Sequence, residues 1–313
     1  MNFLSMDYFA MTAHTRSFTR AAQQLHITQQ TLSAHIAALE KELGCKLFLR
    51  RTPLELTYPG QVFLEYALDF QRKYRQLERD FDDLAGEEKG CLRIGIGTVR
   101  GRSIMPEVIQ VYQRTWPKVD IRLFEGSGEQ FCDKLVRGEL DLIIGHFPQP
   151  FPGVELLDLY REEVVLLISR QLLEAQYGPR WRGVAEEVRV RQSLEPLAGC
   201  PFVANSEEDV VSALRQALFA QLDTDPAIRV MSRNLGTLLD LCLRGVGACF
   251  CPEIMARATL TPAQLDSVEL FRFSQHARHT ISIGYLKQAR RWSVLSHFID
   301  LTQQLLGEEE FQP

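Results

Sequence analysis

Residues 18–43 read FTRAAQQLHITQQTLSAHIAALEKEL, and their apolar spacing decides the local fold. Ala21, Ala22 and Leu25 line the inner face of a short helix, and His26 and Ile27 break it. Thr28 is placed to cap a second helix, because its hydroxyl can accept from the free N–H groups of the next turn. Leu32, Ile36, Leu39 and Leu43 then recur at spacings of four, three and four, one stripe of a 3.6-residue helix. Gly44 follows, where a left-handed residue closes such a helix. Two alanines allow the pair to cross closely, so residues 18–37 carry a helix-turn-helix pattern.

The other face of the second helix is polar and uncharged. Thr28, Gln29, Gln30, Thr31, Ser33 and His35 concentrate hydrogen-bonding groups in its first turns. Glutamine can bond an adenine edge bidentately, and short hydroxyls suit most base edges. This points to double-stranded DNA; the plainer alternative is a solvated face on a structural helix.

Charge supports the first reading. The chain has 313 residues and a formal net charge of -5, which argues against a general nucleic-acid binder. Residues 1–60, however, hold six Lys/Arg (Arg16, Arg20, Lys41, Lys46, Arg50, Arg51) against four acids (Asp7, Glu40, Glu42, Glu55). That head is +2 and the remainder -7, the distribution of a small DNA-binding head on an acidic body. No apolar run approaches the roughly 20 residues needed to span a bilayer, and the amino terminus lacks a basic leader pattern. A cytoplasmic protein without membrane partners is expected. The seven cysteines include no C-x-x-C pair, so reduced thiols and no bound metal are expected.

Outward from the helix pair, residues 1–13 read as a first helix with Leu4, Tyr8 and Met11 or Phe9 inside. Lys46 to Thr57 forms two extended runs around Pro53, a hairpin wing. Arg50 and Arg51 at its base and Thr52 at its tip are candidates for phosphate or minor-groove contact. Pro59-Gly60 closes the wing. Through residues 61–85, Phe63, Ala67, Phe70, Tyr74, Leu77, Phe81 and Leu84 recur at alternating steps of four and three, the seam of a coiled coil. Phe63, Phe70, Tyr74, Leu77, Phe81 and Leu84 are the candidate dimerisation residues. Residues 86–90 form a polar hinge.

Beyond the hinge, strands and helices alternate: strand 91–96, helix 104–115 with Pro106 in its first turn, strand 119–125, helix 130–137 and strand 141–145. This order implies a parallel sheet with helices on its faces.

Three sets of residues resemble LysR-type transcriptional regulators. Ser17-Phe18-Thr19-x-Ala21-Ala22-x-x-Leu25-x-Ile27-Thr28-Gln29 does so, as does Leu32-Ser33-x-x-Ile36-x-x-Leu39-Glu40-x-x-Leu43-Gly44-x-x-Leu47-Phe48-x-Arg50 with Leu56-Thr57-x-x-Gly60. Gly90-x-Leu92-Arg93-Ile94-Gly95, Pro117-x-Val119-x-Ile121, residues 138–144 and residues 245–252 look like the effector-binding domain of that family. Gln30, Thr31 and Ala34 depart from the usual residues on the groove-facing side, which bears on the DNA sequence read. The resemblance implies an all-α and α/β chain: a winged helix-turn-helix (1–60), a linker helix and hinge (61–89), and a two-lobed periplasmic-binding-protein-like effector domain (90–313). Lobe I is expected at 90–161 and 267–313, and lobe II at 162–266. Strands at 163–169, 202–204 and 280–286 and helices at 209–220 and 293–306 fit that plan. Residues 171–195 look longer than the family requires. The resemblance further implies a homodimer assembling to a homotetramer on a promoter with an interrupted inverted repeat.

Ligands of open α/β sheets bind beyond the carboxyl ends of strands. Here those ends offer Thr98, Arg100, Arg102, Ser103, Ser127 and His146, with Asn205 and Ser206 in lobe II and Arg233, Asn234 and Thr237 as weaker candidates. Hydroxyls beside guanidinium groups suit a small organic anion as effector. The expected function is a sequence-specific, effector-modulated transcription factor and not an enzyme. Gly95-x-Gly97 lacks the third glycine of a dinucleotide site. Two alternatives stay open: a cytoplasmic ligand-binding protein with a structural helix-turn-helix, and a thiol-based redox-sensing regulator.

Overall fold

The computed structural model describes residues 3–51, 53–86, 88–126, 128–206, 209–273, 277–287 and 292–307. Thr52 and Ser127 lie outside the described residues. The chain divides into two compact units, Met1–Gly90 with Asp133–Leu140, and Cys91–Cys132 with Asp141–Pro313.

In the first unit, α1 (Phe3–Thr15), α2 (Phe18–Gln24) and α3 (Gln29–Leu43) precede the strands β1 (Phe48–Leu49) and β2 (Glu55–Leu56) and the long helix α4 (Tyr58–Leu84). Ser17 and Thr28 cap α2 and α3 by accepting from the N–H groups of Arg20 and Thr31. His26, between those helices, takes a left-handed backbone at φ 55°. Gly44 ends α3 at φ 70°, as the sequence predicts. The core joins Phe9, Ala21, Ala22, Leu32, Ile36, Leu39, Leu47, Phe48 and Ala67.

Some details differ from the sequence reading. Phe9 is inside α1 as expected, and Tyr8 and Met11 are half-buried against the core, but Met6, Ala10 and Thr12 share the buried face and Leu4 is 46% exposed. The α3 stripe ends at Leu39, because Leu43 in the last turn is 39% exposed while Glu40 is buried.

Pro59-Gly60 does not close the wing. Both lie in the first turn of α4, which Thr57 caps by accepting from Gly60 N–H at 3.0 Å. Thr57 also donates to the Lys46 carbonyl at 2.6 Å. The helix therefore starts directly against the wing, and a Cβ on Gly60 would stand 2.1 Å from the Leu47 carbonyl oxygen.

The second unit opens with β3 (Gly90–Ile96), α5 (Thr98–Thr115), β4 (Val119–Glu125), α6 (Gly128–Val136, which continues into the other unit) and β5 (Leu142–Gly145). β3 and β5 are parallel. β6 (Val154–Ser169) is a single strand of 16 residues. Next come α7 (Arg170–Tyr177), α8 (Trp181–Arg191), β7 (Phe202–Asn205), α9 (Val210–Phe219), β8 (Ile228–Ser232), α10 (Leu235–Leu243) and β9 (Ala248–Pro252). Helices α11 (Glu253–Thr259) and α12 (Pro262–Leu265), strands β10 (Val268–Arg272) and β11 (Arg278–Leu286) and helix α13 (Ser293–Leu306) complete it.

The sheet order is β4-β3-β5-β11-β6-β9-β7-β8, with β10 also on β6. Residues 154–163 of β6 pair with β11, and from Val164 onward the strand pairs with β9 and, from Val165, with β10. One strand thus belongs to two sheets, each with its own core: Ile94, Tyr112, Ile283 and Phe298 on one side of the change, Leu166, Phe202, Phe250 and Phe271 on the other. β10 still pairs in the second sheet up to Arg272, past the boundary expected at 267, because its apolar residues Val268 and Phe271 are buried there. Residues 171–195 fold into α7 and α8, which bury Leu172, Leu173, Trp181, Ala185 and Val188 in the second core.

Helix α5 begins at Thr98, six residues earlier than the sequence reading. Residues 98–103 are therefore its first turns and not a loop, and Pro106 is interior.

We predict that Gly60→Ala lowers the stability of the first unit by about 1–3 kcal/mol, the usual cost of overpacking. Urea unfolding followed at that unit checks it; an unchanged midpoint would show that the Leu47–Gly60 approach is not tight.

Candidate functional site

Two sites emerge, one in each unit. In the first, Thr28, Gln29, Gln30 and Thr31 are exposed at the amino end of α3. The Thr28 and Thr31 hydroxyls share a hydrogen bond of 2.8 Å. Gln29 Oε1 accepts from the Thr19 hydroxyl at 3.1 Å, so α2 orients the glutamine. Thr19 carried no assigned role in the sequence reading, since a contact ten residues away across a turn has no local periodicity. Ser33 is half-buried. His35 packs its ring edge-on against Tyr8, with centroids 5.0 Å apart.

At the wing, Arg50 and Arg51 are exposed. The Arg50 guanidinium lies 5.7 Å from the Phe18 ring centroid, while Arg51 pairs with Glu55.

The wing is held to α3 by Glu40, which the sequence pattern places on a helix surface. Its carboxylate is only 3% exposed and accepts from Lys46 Nζ at 2.7 Å, Leu47 N–H at 2.9 Å and Phe48 N–H at 3.4 Å. Burial pushes its pKa up, but Lys46 and the two backbone donors outweigh that and hold it below the usual carboxylate value.

Along α4, Phe63 packs on Phe9 with centroids 4.9 Å apart and so belongs to the head core. Phe70, Tyr74, Leu77, Phe81 and Leu84 are 42–67% exposed, as is Tyr66 at 62%.

The second site lies at the carboxyl ends of β3 and β5. Thr98 and Arg102 are exposed, and Ser103 donates to the Val99 carbonyl at 2.8 Å inside the helix. Arg100 is not an open cation. Its Nη2 donates to Glu162 Oε2 at 2.6 Å and its Nε to the Tyr160 hydroxyl at 3.2 Å. Its Nη1 makes no hydrogen bond among the described residues and lies 3.9 Å from where a Cβ on Gly97 would stand.

His279 Nε2 is 3.0 Å from the same Glu162 oxygen, as expected of partners directly opposite on β11 and β6. His146 stacks edge-on against His279 at 5.1 Å, and its Nδ1 meets the Thr280 carbonyl at 3.0 Å. Burial opposes the charge on Glu162, but Arg100 and His279 hold its carboxyl below the ordinary value, so it is ionised at neutral pH. Burial and Glu162 together push the Tyr160 phenol up.

Tyr160, Glu162 and His279 escaped the sequence reading, because Glu162 and His279 meet only through strand pairing across 117 residues. In the second sheet, Asn205 donates to Asp209 at 2.7 Å and Ser206 is exposed. Asn234 caps α10 by accepting from Thr237 N–H.

Residues 3–61 match the model of the bacterial regulatory helix-turn-helix protein, lysR family, and residues 85–307 match the LysR substrate binding domain. The chain belongs to the LysR family of transcriptional regulators. It is 30% identical over 294 residues to the HTH-type transcriptional regulator IlvY of Escherichia coli, covering 93% of this chain and 94% of that one. It is 26% identical to the probable cat1 operon transcriptional activator of Acinetobacter lwoffii, over 98% and 96% of the two chains.

Among solved structures, full-length CbnR complexed with its target DNA has a TM-score of 0.63 at 20% identity, over 97% of this chain and 99% of that one. Full-length OxyR from Pseudomonas aeruginosa reaches 0.68 at 21% identity, over 100% and 99%. As a LysR-family regulator, this protein is a DNA-binding transcription factor with an effector-binding domain, not an enzyme. No helix of the described residues is long and apolar enough to cross a membrane.

Because the folded pKa of Glu40 is lowered, its contribution to stability is present above the unfolded value and is lost as pH falls through the folded one. We predict that Glu40→Gln destabilises the first unit by about 1–3 kcal/mol near neutrality, and that the difference shrinks as pH falls below the ordinary carboxylate range. Denaturant unfolding of both proteins near neutrality and below that range checks this.

Proposed function

We propose that α3 reads base edges in the major groove through Gln29, Gln30, Thr31 and Ser33, with Thr28 capping the helix and His35 bracing it on α1. The observation that carries this reading is the Thr19–Gln29 hydrogen bond. It fixes an exposed glutamine at the amino end of the helix, where a base-reading side chain is needed. Arg50, poised on the Phe18 ring, contacts phosphate. Arg51 acts with it as the Glu55 pair opens.

The exposed apolar stripe of α4, Phe70 to Leu84 with Tyr66 added, pairs two copies, so that two heads span the halves of an interrupted inverted repeat. The dimers associate further into a tetramer. The protein works in the cytoplasm.

The effector is a small organic anion. Its carboxylate sits between Arg100 Nη1 and the first-turn N–H groups of α5, which Gly97 at the cap leaves without a side-chain acceptor. Thr98, Arg102 and His146 flank that position; Asn205 and Ser206 approach from the second sheet, and Ser103 holds the helix turn. The effector switches the protein by binding one relation of the lobes more tightly than another.

A redox switch has less support. Cys132, Cys200, Cys242, Cys249 and Cys251 are buried, burial pushes the Cys200 and Cys242 thiols up to about 12, and the reactive species is the thiolate.

Gln29→Ala should cost about 1–3 kcal/mol on cognate DNA and relax the sequence preference. Arg50→Ala should weaken cognate and scrambled DNA alike and reduce the salt dependence by about one counterion. Fluorescence anisotropy at several salt concentrations separates the two. Cognate binding unaffected by Gln29→Ala would remove the groove assignment.

A further inference from the structure

Between Asp7 and Glu40 the chain carries no aspartate or glutamate, although its net charge is -5. That acid-free stretch holds the second half of α1, all of α2, and α3 as far as Leu39. Its two arginines, Arg16 and Arg20, are both exposed. Neither side chain makes an ion pair or a hydrogen bond among the described residues. Arg20 sits on regular helix, but Arg16 does not.

Arg16 takes the left-handed backbone at φ 48°, which is costly for an arginine and free for a glycine. Its neighbours impose it. The Thr15 hydroxyl stands 2.9 Å from the Met11 carbonyl oxygen and 3.1 Å from that of Ser17, and Ser17 caps α2. A glycine would fill this turn without strain. No hydrogen bond or ion pair among the described residues offsets the cost of the arginine. A strained position held by an unpaired, exposed cation points to a partner outside the chain.

The turn adjoins the reading helix and the wing. Phe18, two residues on, lies under the Arg50 guanidinium, and Thr19 bonds Gln29. Arg16 lines one groove of the first unit with Pro53 and Leu54 of the wing. The carboxylates along it, Asp7, Glu55 and Glu139, make no ion pair with Arg16 among the described residues. A cation between the wing and the α2–α3 contact suits the phosphates that border the major groove when α3 enters it.

Resting on the reading of α3 given above, we propose that Arg16 contacts a DNA phosphate. It positions the head on the duplex and has no part in reading the sequence. The turn fixed by Thr15 and Ser17 presents its guanidinium.

Fluorescence anisotropy of the full-length protein tests this on two duplexes, the region upstream of its own gene and a scrambled version. We expect Arg16→Gly to bind both about tenfold more weakly than wild type at about 50 mM salt and about fourfold at about 200 mM, the change for one lost counterion. Its thermal midpoint should be unchanged or raised, because glycine takes this backbone without strain. Arg16→Lys should keep the wild-type salt slope, since a point charge serves a phosphate. Arg16→Asn, which also tolerates the left-handed region, replaces the glycine variant where that does not fold.

Wild-type affinity and salt slope in Arg16→Gly overturn the inference. So does a loss confined to the upstream duplex, which would mark a base contact. A lysine variant as weak as the glycine one overturns it too, because the role would then be structural. In each of these cases Gln29→Ala separates the two readings. If it loses the preference for upstream DNA, the groove reading stands without Arg16; if it does not, both fall.

Discussion

The hydrogen bonding of β6 governs the second unit. For its first ten residues the strand pairs with β11, and from Val164 it pairs with β9, β10 joining one residue on. A strand is continuous and stiff, so the two cores it serves are tied together without a flexible tether between them. Glu162 stands two residues before the change of partners, facing His279 across the β6–β11 pair. Its carboxylate reaches Arg100 at the head of α5. The place where one sheet gives way to the next is therefore also the place where α5, β6 and β11 meet at a buried charge. Replacing either Glu162 or Arg100 alone leaves the partner's charge buried without its counter-ion, so the pair behaves as one element.

A buried carboxylate has a comparable part in the first unit. Glu40 sits at the end of an apolar stripe and turns inward to satisfy Leu47 and Phe48 at the start of the wing. Those donors open a strand of only two residues, too short to hold its position by its own ladder. Gly60 completes the arrangement by letting α4 begin against the Leu47 carbonyl. Helix α3, the β1–β2 wing and α4 thus share one small junction.

Much of this was legible in the residues. The helix-turn-helix, its caps at Thr28 and Gly44 and the strand at 119–125 follow from apolar period and capping chemistry, while the strand at 202–204 and the helix at 293–306 were placed by the family resemblance. Helix starts were harder. Gly97 caps α5 without a side-chain signal, so the first turns of that helix read as loop, and Arg100 read as an open cation. The first half of β6 and the whole of β8 were missed because neither alternates cleanly: four consecutive residues from Val154 are half-buried, and β8 is largely exposed. The Glu162–His279 pair was beyond reach, since strand register across 117 residues has no local signature. Leu43 and Phe63 show the converse limit. Periodicity put Leu43 on the core stripe and Phe63 on the dimer seam, yet a terminal turn frays into solvent and a phenylalanine near Phe9 completes the head core instead.

In the proposed function, two copies of α3 read two half-sites of one DNA. Hydroxyl-radical footprinting of the full-length protein on the region upstream of its own gene tests this. Two protected patches are expected on one face of the duplex, separated by whole turns of about 10 base pairs, with related sequences in inverted orientation. Uniform weak protection, unchanged when the sequence is scrambled at fixed salt, would contradict it.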